Sequence, residues 1–414
     1  MATAQPATGA APPEAVGPAH VGVVSFLAAR AAPTGGFWIA LAGGVALARV
    51  AERHGARLGF GASSAAMLET VAIIGPARFG VPLTQALSAP ILGRLHARGV
   101  GFWPQLAACA LVRLLHNAAT TAFFIWVIAG GLEAYAGTYD AIGRRVGLDV
   151  GTADAIALTV ASLLLWAAFA STVQVLVYRR GLRAWPVVDS EHRATSGSSS
   201  PAPAARHDFR FDPRAVTLAA VVAFVLLLAG TEWVLLAAVG GWLAVAWALA
   251  RADSEPLRAG LAFAAILAAG AFVFALGGGL GLDVAVRRAI RAALLVLVAT
   301  WLRAAAGAAG LREVSRRALG RLRRLPSANE AAAVLDGIAS EGRLADAARR
   351  LAALLSEVPK RPRDLLDAVL GWVVRESASF GPAPAQPPRA LRARAPDLAL
   401  VASAAAPVLA IALG

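Results

Sequence analysis

Residues 215–250 read AVTLAAVVAFVLLLAGTEWVLLAAVGGWLAVAWALA and carry a single charge, Glu232. A hydrocarbon core of ~30 Å is crossed by about 20 apolar residues of helix. The run therefore holds two crossings, joined by a tight turn at Gly230, Thr231 and Glu232. The following stretch, Gly260–Leu282, has no charge at all. Backbone groups in lipid must pair within their own segment, so apolar runs this long read as helices. Strands of a membrane barrel would alternate in polarity, and these runs do not. The whole chain has the same character: of 414 residues, 58% are hydrophobic and 15% charged, against about 25% charged in soluble domains. The fold class this predicts is all-α, a polytopic helical membrane protein with a cytoplasmic block of amphipathic helices.

The net charge is +14, and Lys360 is the only lysine. In a soluble chain that excess would suggest a nucleic-acid partner. Here the arginines gather at the ends of apolar runs, which is the pattern of cytoplasmic anchoring, and no nucleic-acid partner is expected. Cys109 is the single cysteine, which excludes an internal disulfide. Residues 1–19 are rich in Ala and Pro with Glu14 as their one charge. They lack the basic start and apolar core of a signal peptide and are expected to form a disordered tail.

The basic clusters order the rest. Residues 20–183 read as an N-terminal membrane module of no recognised family. Its first membrane segment is expected within His20–Val50, with a break admitted at Pro33–Gly36, and ends inside at Arg49, Arg53 and Arg57. Leu58–Leu92 is apolar but punctuated by Gly75, Pro76, Gly80, Pro82 and Pro90. Arg94, His96 and Arg98 follow, so this stretch reads as a re-entrant pair or two short spans. A span at Gln105–Ala129 leads to an outer segment, Glu133–Asp154. The span Ala155–Tyr178 returns inward to Arg179, Arg180 and Arg183. Residues 184–211, with their Ser, Pro and Ala, read as a flexible linker.

Residues 212–310 read as a second module of four spans. Arg287, Arg288 and Arg291 fall on an outer loop, against the charge rule, while the denser run Arg312–Arg324 falls inside. Residues 311–396 form the charged block. Ser327 and Glu330 fit a capping box. Leu344, Ala347, Leu351, Leu354, Leu355 and Val358 share one helical face, and Leu366, Val369, Leu370 and Val373 mark a second. Residues 397–414 are a final apolar segment.

Four spans, a basic helical block and a closing span, introduced by Asp212-Pro213-Arg214, form a recognisable order. So does RAALLVLVAT at 291–300 leading through LREV at 311–314 to LRRL at 322–325. From Asp212 to Gly414 the chain resembles the transmembrane T component of energy-coupling factor transporters, which import vitamins and metal ions. The resemblance implies ABC-type ATPase subunits as partners, docked through short Ala-Arg-Gly signatures on coupling helices. The block has no such triplet. The nearest are Glu341-Gly342-Arg343, Ala348-Arg349-Arg350 and Ala393-Arg394-Ala395. Arg343, Arg349, Arg350 and Arg394 are thus the coupling candidates, since a guanidinium bonds carboxylates bidentately and is always charged. The blander reading is that they solvate a helix face or touch anionic headgroups.

The chain has no Gly-Lys-Ser/Thr loop, so any ATPase is a separate chain and no enzymatic activity is expected. The histidines have no ligand spacing, and neither metal nor cofactor is expected. Cys109, Arg113, His116, Asn117 and Thr120 recur at three and four residues and share one helix face. Ionisable groups inside a span face a protein interior or a cavity. Glu69 and Arg78, around the break at Gly75-Pro76, are the other candidates for a substrate site, because a broken helix frees backbone groups. The plain alternative is that these polar residues only bond neighbouring helices or reach the headgroups. The expected function is the membrane component of an ATP-driven importer of a small nutrient, a vitamin or metal ion, in the plasma (inner) membrane. A non-transporting membrane scaffold is the alternative.

Overall fold

The uncharged runs form helices from end to end. The computed structural model describes residues 12–32, 35–78, 82–145, 147–185, 210–250, 254–322, 324–338, 341–359, 361–380, 391 and 393–413. Among them the elements are α1 (Pro13–Ala31), α2 (Gly36–Ile74), a 3-10 turn (Pro76–Arg78), α3 (Pro82–Ala97), α4 (Phe102–Phe123) with a π turn (Phe124–Ala129), α5 (Leu132–Arg145) and α6 (Thr152–Ala184). The second half gives α7 (Pro213–Ala229), α8 (Trp233–Ala250), α9 (Ser254–Gly277), α10 (Leu282–Arg321), α11 (Pro326–Gly337), α12 (Glu341–Glu357), α13 (Pro362–Ser379) and α14 (Ala395–Leu413). No strand occurs among the described residues. The all-α class is as the sequence predicts.

Among the described residues six helices are long and apolar enough to cross a membrane: α2, α4 with its π turn, α6, α8, α9 and α10. They divide by what covers them. Only 11–28% of the apolar window is enclosed in α4, α6, α8 and α9, against 50% in α2 and 61% in α10. The first group exposes a belt of large apolar side chains, among them Leu115, Leu165, Trp166, Val245 and Ile266. Soluble monomers do not expose a contiguous surface of this kind. The chain is a multi-pass membrane protein whose outer helices meet lipid, while α2 and α10 form its interior.

Two large hydrophobic cores result, beside a small cluster at Ile128, Ala271 and Ala292, and they do not follow the two halves of the sequence. The first joins α1, α2, α3 and the end of α6 to α11, α12 and α13, through Phe26, Leu47, Leu92, Tyr178, Leu335 and Leu351. The second joins α7, α8, α10 and α14 around Leu227, Val298, Trp301 and Leu400. The helical block expected to belong with the second module thus packs on the first. Its apolar faces behave as their periodicity predicts: Leu344, Ala347, Leu351, Val369 and Val373 are enclosed. Their counterpart is α1. His20 stacks on Phe380 with ring centroids 4.0 Å apart. Burial, with the nearby charges of Arg350 and Arg343, pushes the His20 pKa down to about 3, so the ring is neutral at physiological pH.

Several boundaries differ from expectation. Helix α1 begins inside the stretch expected to be a tail, because Ala15, Val16 and Ala19 are needed to close the first core. Only residues 1–11 of that stretch, and 186–209 of the expected linker, lie outside the described residues. The expected first membrane segment is a hairpin of α1 and α2, of which α2 is long and apolar enough to cross and is half enclosed by protein; of the expected break at Pro33–Gly36, residues 33–34 lie outside the described residues. Helix α2 runs past the basic cluster with a sharp bend at Gly55, whose φ of 86° suits glycine alone. Gly59 there lies against Ala51. The stretch 58–92 is a helix, a break and a helix whose two basic ends meet, with His96 Nε2 3.7 Å from Glu52. Ser327 is not a cap: α11 starts from Leu325 with Pro326 in its first turn, where a missing N–H costs nothing. Glu330 instead binds Arg57 at 2.8 Å.

Helix α10 holds the two cores together. It bends at Gly307 (φ 65°), and its arginines meet the carbonyl ends of other helices. The last four carbonyls of a helix lack intrahelical donors and carry the negative end of its dipole. Arg288 donates to the Gly130 carbonyl at 3.3 Å and Arg291 to that of Val127, at the end of the π turn. Arg303 donates to the Ile73 carbonyl at 2.6 Å, where α2 stops. Arg312 donates to Leu335 and Ile338 at the end of α11, at 2.5 and 2.8 Å, and pairs with Glu69 at 3.2 Å. Arg287 binds Asp283 and Glu232. Of the three arginines that break the charge rule, Arg287 is neutralised by acids, while Arg288 and Arg291 are held by carbonyls.

Arg312→Ala removes a cation that stands 3.2 Å from the enclosed Glu69 carboxylate, and cutting one member of a buried pair costs about 3–5 kcal/mol. In mild detergent it should lower the unfolding midpoint sharply, and Glu69→Gln in the same chain should restore part of the loss. Arg324→Ala, at an exposed site, should stay within about 0.5 kcal/mol of the parent.

Topology is read by cysteine labelling on a Cys109→Ser background. Asp149→Cys, exposed in the outer segment, should react with an impermeant maleimide in intact cells. Arg183→Cys and Arg321→Cys should react only after permeabilisation. Thr138→Cys should stay protected although it lies in the same outer segment, because Thr138 is buried and bonds the Phe274 carbonyl at 2.9 Å.

Candidate functional site

The polar residues of α4 and α6 form one seam. On α4, Cys109, Arg113 and Asn117 recur every four residues and lie on one face. On α6, Ser171, Gln174 and Tyr178 recur at three and four and face it. Helix α3 adds Thr84, Gln85 and Ser88. All of these but Asn117 are buried, and Asn117 is half-buried. The close approach is made by glycine on α2: a Cβ at Gly44 would stand 1.7 Å from the Tyr178 hydroxyl.

Arg113 is 4% exposed. Its Nη2 donates to Gln174 Oε1 at 2.7 Å, and the Cys109 thiol donates to the same oxygen at 3.3 Å. Gln174 Nε2 donates in turn to Ser88 Oγ at 2.6 Å, and Ser88 to the Thr84 carbonyl at 2.6 Å. No carboxylate lies within ion-pairing distance of Arg113 among the described residues. Arg113 Nε, Gln85 Nε2 and Asn117 Nδ2 are buried without an acceptor there. All three are donor-only nitrogens. The seam therefore has one permanent positive charge, neutral partners and an excess of donors. Such a set suits an anion or a carbonyl-bearing solute, which supplies the missing acceptors.

Along α4 the seam continues from Arg113 past Asn117 to a pocket of about 270 Å³. Thr120, Thr121, Tyr139, Thr159 and Ser162 supply hydroxyls to it, and Phe124 and Phe274 supply rings. Tyr135 Oη lies 3.1 Å from Tyr139 Oη and 2.9 Å from Thr159 Oγ1. The π turn begins at Phe124, in the pocket wall; such turns displace side chains from the helical register and recur at functional sites.

Of the sequence candidates, Arg113 and Asn117 share the seam. His116 is half-buried beside Asn117, and its carbonyl takes the Thr120 hydroxyl at 3.0 Å. Glu69 does not belong with them: it is 3% exposed and committed to Arg312. Arg78, the other candidate beside the Gly75-Pro76 break, has a side chain outside the described residues. Sequence reasoning missed the other two walls. The signal was present in Ser171, Gln174 and Tyr178, polar residues at helical spacing inside an apolar run.

The coupling candidates are scattered. Arg343, Arg349 and Arg350 are exposed on α12, opposite its buried face. Arg349 is paired with Asp346, and Arg350 binds Glu376 of α13 at 2.6 Å. Arg394 is exposed just before α14, in the second core, and its N–H donates to Asp397 at 2.7 Å. Comparison of the chain with protein-family models, with curated proteins and with solved structures finds no match.

Gln174→Leu removes the one acceptor of a buried guanidinium, a hydrogen bond worth roughly 1.5–3 kcal/mol when one member is charged. The variant should unfold at lower temperature than the parent. Adding Arg113→Leu should recover most of the loss, since an apolar pair of similar size needs no partner. A double variant less stable than Gln174→Leu alone would mean that Arg113 has another acceptor.

Proposed function

We propose that this chain is the membrane component of a transporter in the plasma membrane, and that its seam takes a small solute bearing a carboxylate or another acceptor-rich group. The observation that carries this reading is the enclosed Arg113, held by neutral partners beside buried donor-only nitrogens that outnumber the unpartnered hydroxyls of Ser171 and Tyr178. A cation inside a span is expensive and tends to mark a ligand path. A solute entering from the hydroxyl-lined pocket would bring the counter-charge and leave with it. This favours an anionic vitamin-like molecule over a free metal ion among the nutrients first expected.

The energy source in this proposal is a separate ATPase. Arg343 and Arg349 give it a basic face on α12, a helix fixed through α1 to the interior of the bundle. A push on α12 would pass through α1 and α2 to α3, which lines the seam. The scaffold alternative leaves Arg113 a purely structural role.

Uptake by proteoliposomes containing the chain and its co-purifying partners separates the two. Arg113→Ala should lower uptake of the cognate solute at least about tenfold, or about 1.4 kcal/mol of interaction, while expression and insertion persist. Arg343→Glu with Arg349→Glu should release the ATPase from affinity-purified material. Arg350 is left alone because its reversal would oppose Glu376 and disturb α13. A wild-type chain that retains no ATPase and moves no solute would overturn the proposal in favour of the scaffold.

A further inference from the structure

A second site lies on the opposite core. A groove of about 730 Å³ runs between α8 and α14. Small residues make it: Ala238, Gly241 and Ala246 on one side, Ala399, Ser403 and Ala406 on the other. From Ala238 to Leu249, both in its wall, the helix rises about 16 Å at 1.5 Å per residue. That is roughly half of a ~30 Å hydrocarbon core, or one leaflet. The groove is apolar along this length and basic at one end, where Arg210 lines it.

That end is assembled by one carboxylate. Asp397 Oδ1 accepts the backbone N–H of Asp212, and Asp397 Oδ2 accepts that of Arg394, each at 2.7 Å. The two chain segments that carry Arg210 and Arg394 are thereby tied side by side. Arg214, between them in sequence, is consumed by Asp212 at 2.7 Å and by the Leu391 carbonyl at 3.1 Å. Arg210 and Arg394 make no ion pair among the described residues, and both are exposed.

We propose that this groove binds an anionic phospholipid, with one acyl chain along α8 and α14 and the phosphate between Arg210 and Arg394. The apolar length matches one leaflet, the Arg210 guanidinium at one end of the groove presents the forked donors that phosphate accepts, and Arg394 follows on the segment that Asp397 ties beside it. A zwitterionic lipid would fit the groove but cancel part of the attraction. The inference needs only the membrane character of the chain and does not depend on the transport reading.

Native mass spectrometry of the purified full chain, titrated with phosphatidylglycerol or with phosphatidylcholine of the same acyl chains, tests it. One phosphatidylglycerol should be retained at least about tenfold more strongly than phosphatidylcholine. Arg210→Gln with Arg394→Gln should abolish that preference. Gly241→Leu should lower retention of both lipids. A Cβ at Gly241 meets nothing within 4 Å, so this variant fills the groove without straining the fold. Equal retention of the two lipids by the parent, or undiminished phosphatidylglycerol on either variant, would overturn the proposal. Loss of the lipid on adding millimolar inorganic phosphate would also overturn it, and would make this end a phosphate site with no part for the groove.

Discussion

A carbonyl at the end of a helix needs a donor, and inside a membrane no water supplies one. This chain breaks its helices repeatedly within or beside the apolar layer, at Ile74, at Ala129 and at Gly337. Each break turns a row of carbonyls, with the negative end of a helix dipole, toward α10. Arginine is the side chain that answers this demand best, because its charge is permanent and its donors are several. Arg288, Arg291, Arg303 and Arg312 occupy those positions along one helix. Without them the broken helices would have unsatisfied backbone groups, and the two cores would lose their main polar connection.

This changes how the basic composition is read. Much of the positive charge resembles a topology signal, and some of it is. Part is interior: Arg303 and Arg312 bond carbonyls, and Arg287 is held by two acids. Arg113 has a side-chain amide oxygen as its acceptor, where Arg288, Arg291 and Arg303 have backbone ones. Its acceptor, Gln174, belongs to a polar network that runs on to α3, and this gives the seam its interest. Arg210 and Arg394 differ again, since they face outward beside an apolar groove.

The arrangement of the cores also gives the proposed coupling a physical path. Helix α12 touches α1, α1 lies along α2, and α2 borders α3 and α10. Interiors packed at crystal-like density transmit displacement instead of absorbing it. Glycines at the contacts, such as Gly93 against the Ala48 carbonyl, bring backbones close enough for small motions to be felt.

The amino-acid sequence by itself determined the all-α class. Runs such as 215–250 and 260–282 have no alternative in water or in lipid but helices, and their length sets where they cross. It also determined the amphipathic faces of α12 and α13, because a period near 3.6 is a local property. The Arg113 stripe was legible for the same reason. Tertiary structure decided what local pattern cannot carry. Apolar residues at 20–50 look alike whether lipid or protein covers them, so how far protein encloses the α1–α2 hairpin was decided by packing. Glu69 and Arg312 stand far apart in the chain, and only folding brings them to 3.2 Å. Helix α11 begins at Pro326 with Leu325 at its N-cap, which leaves Ser327 already inside the helix. The partners of Arg113 on α3 and α6 were likewise chosen by packing. A helix face states that it needs a polar neighbour, and the long-range contacts alone state which one.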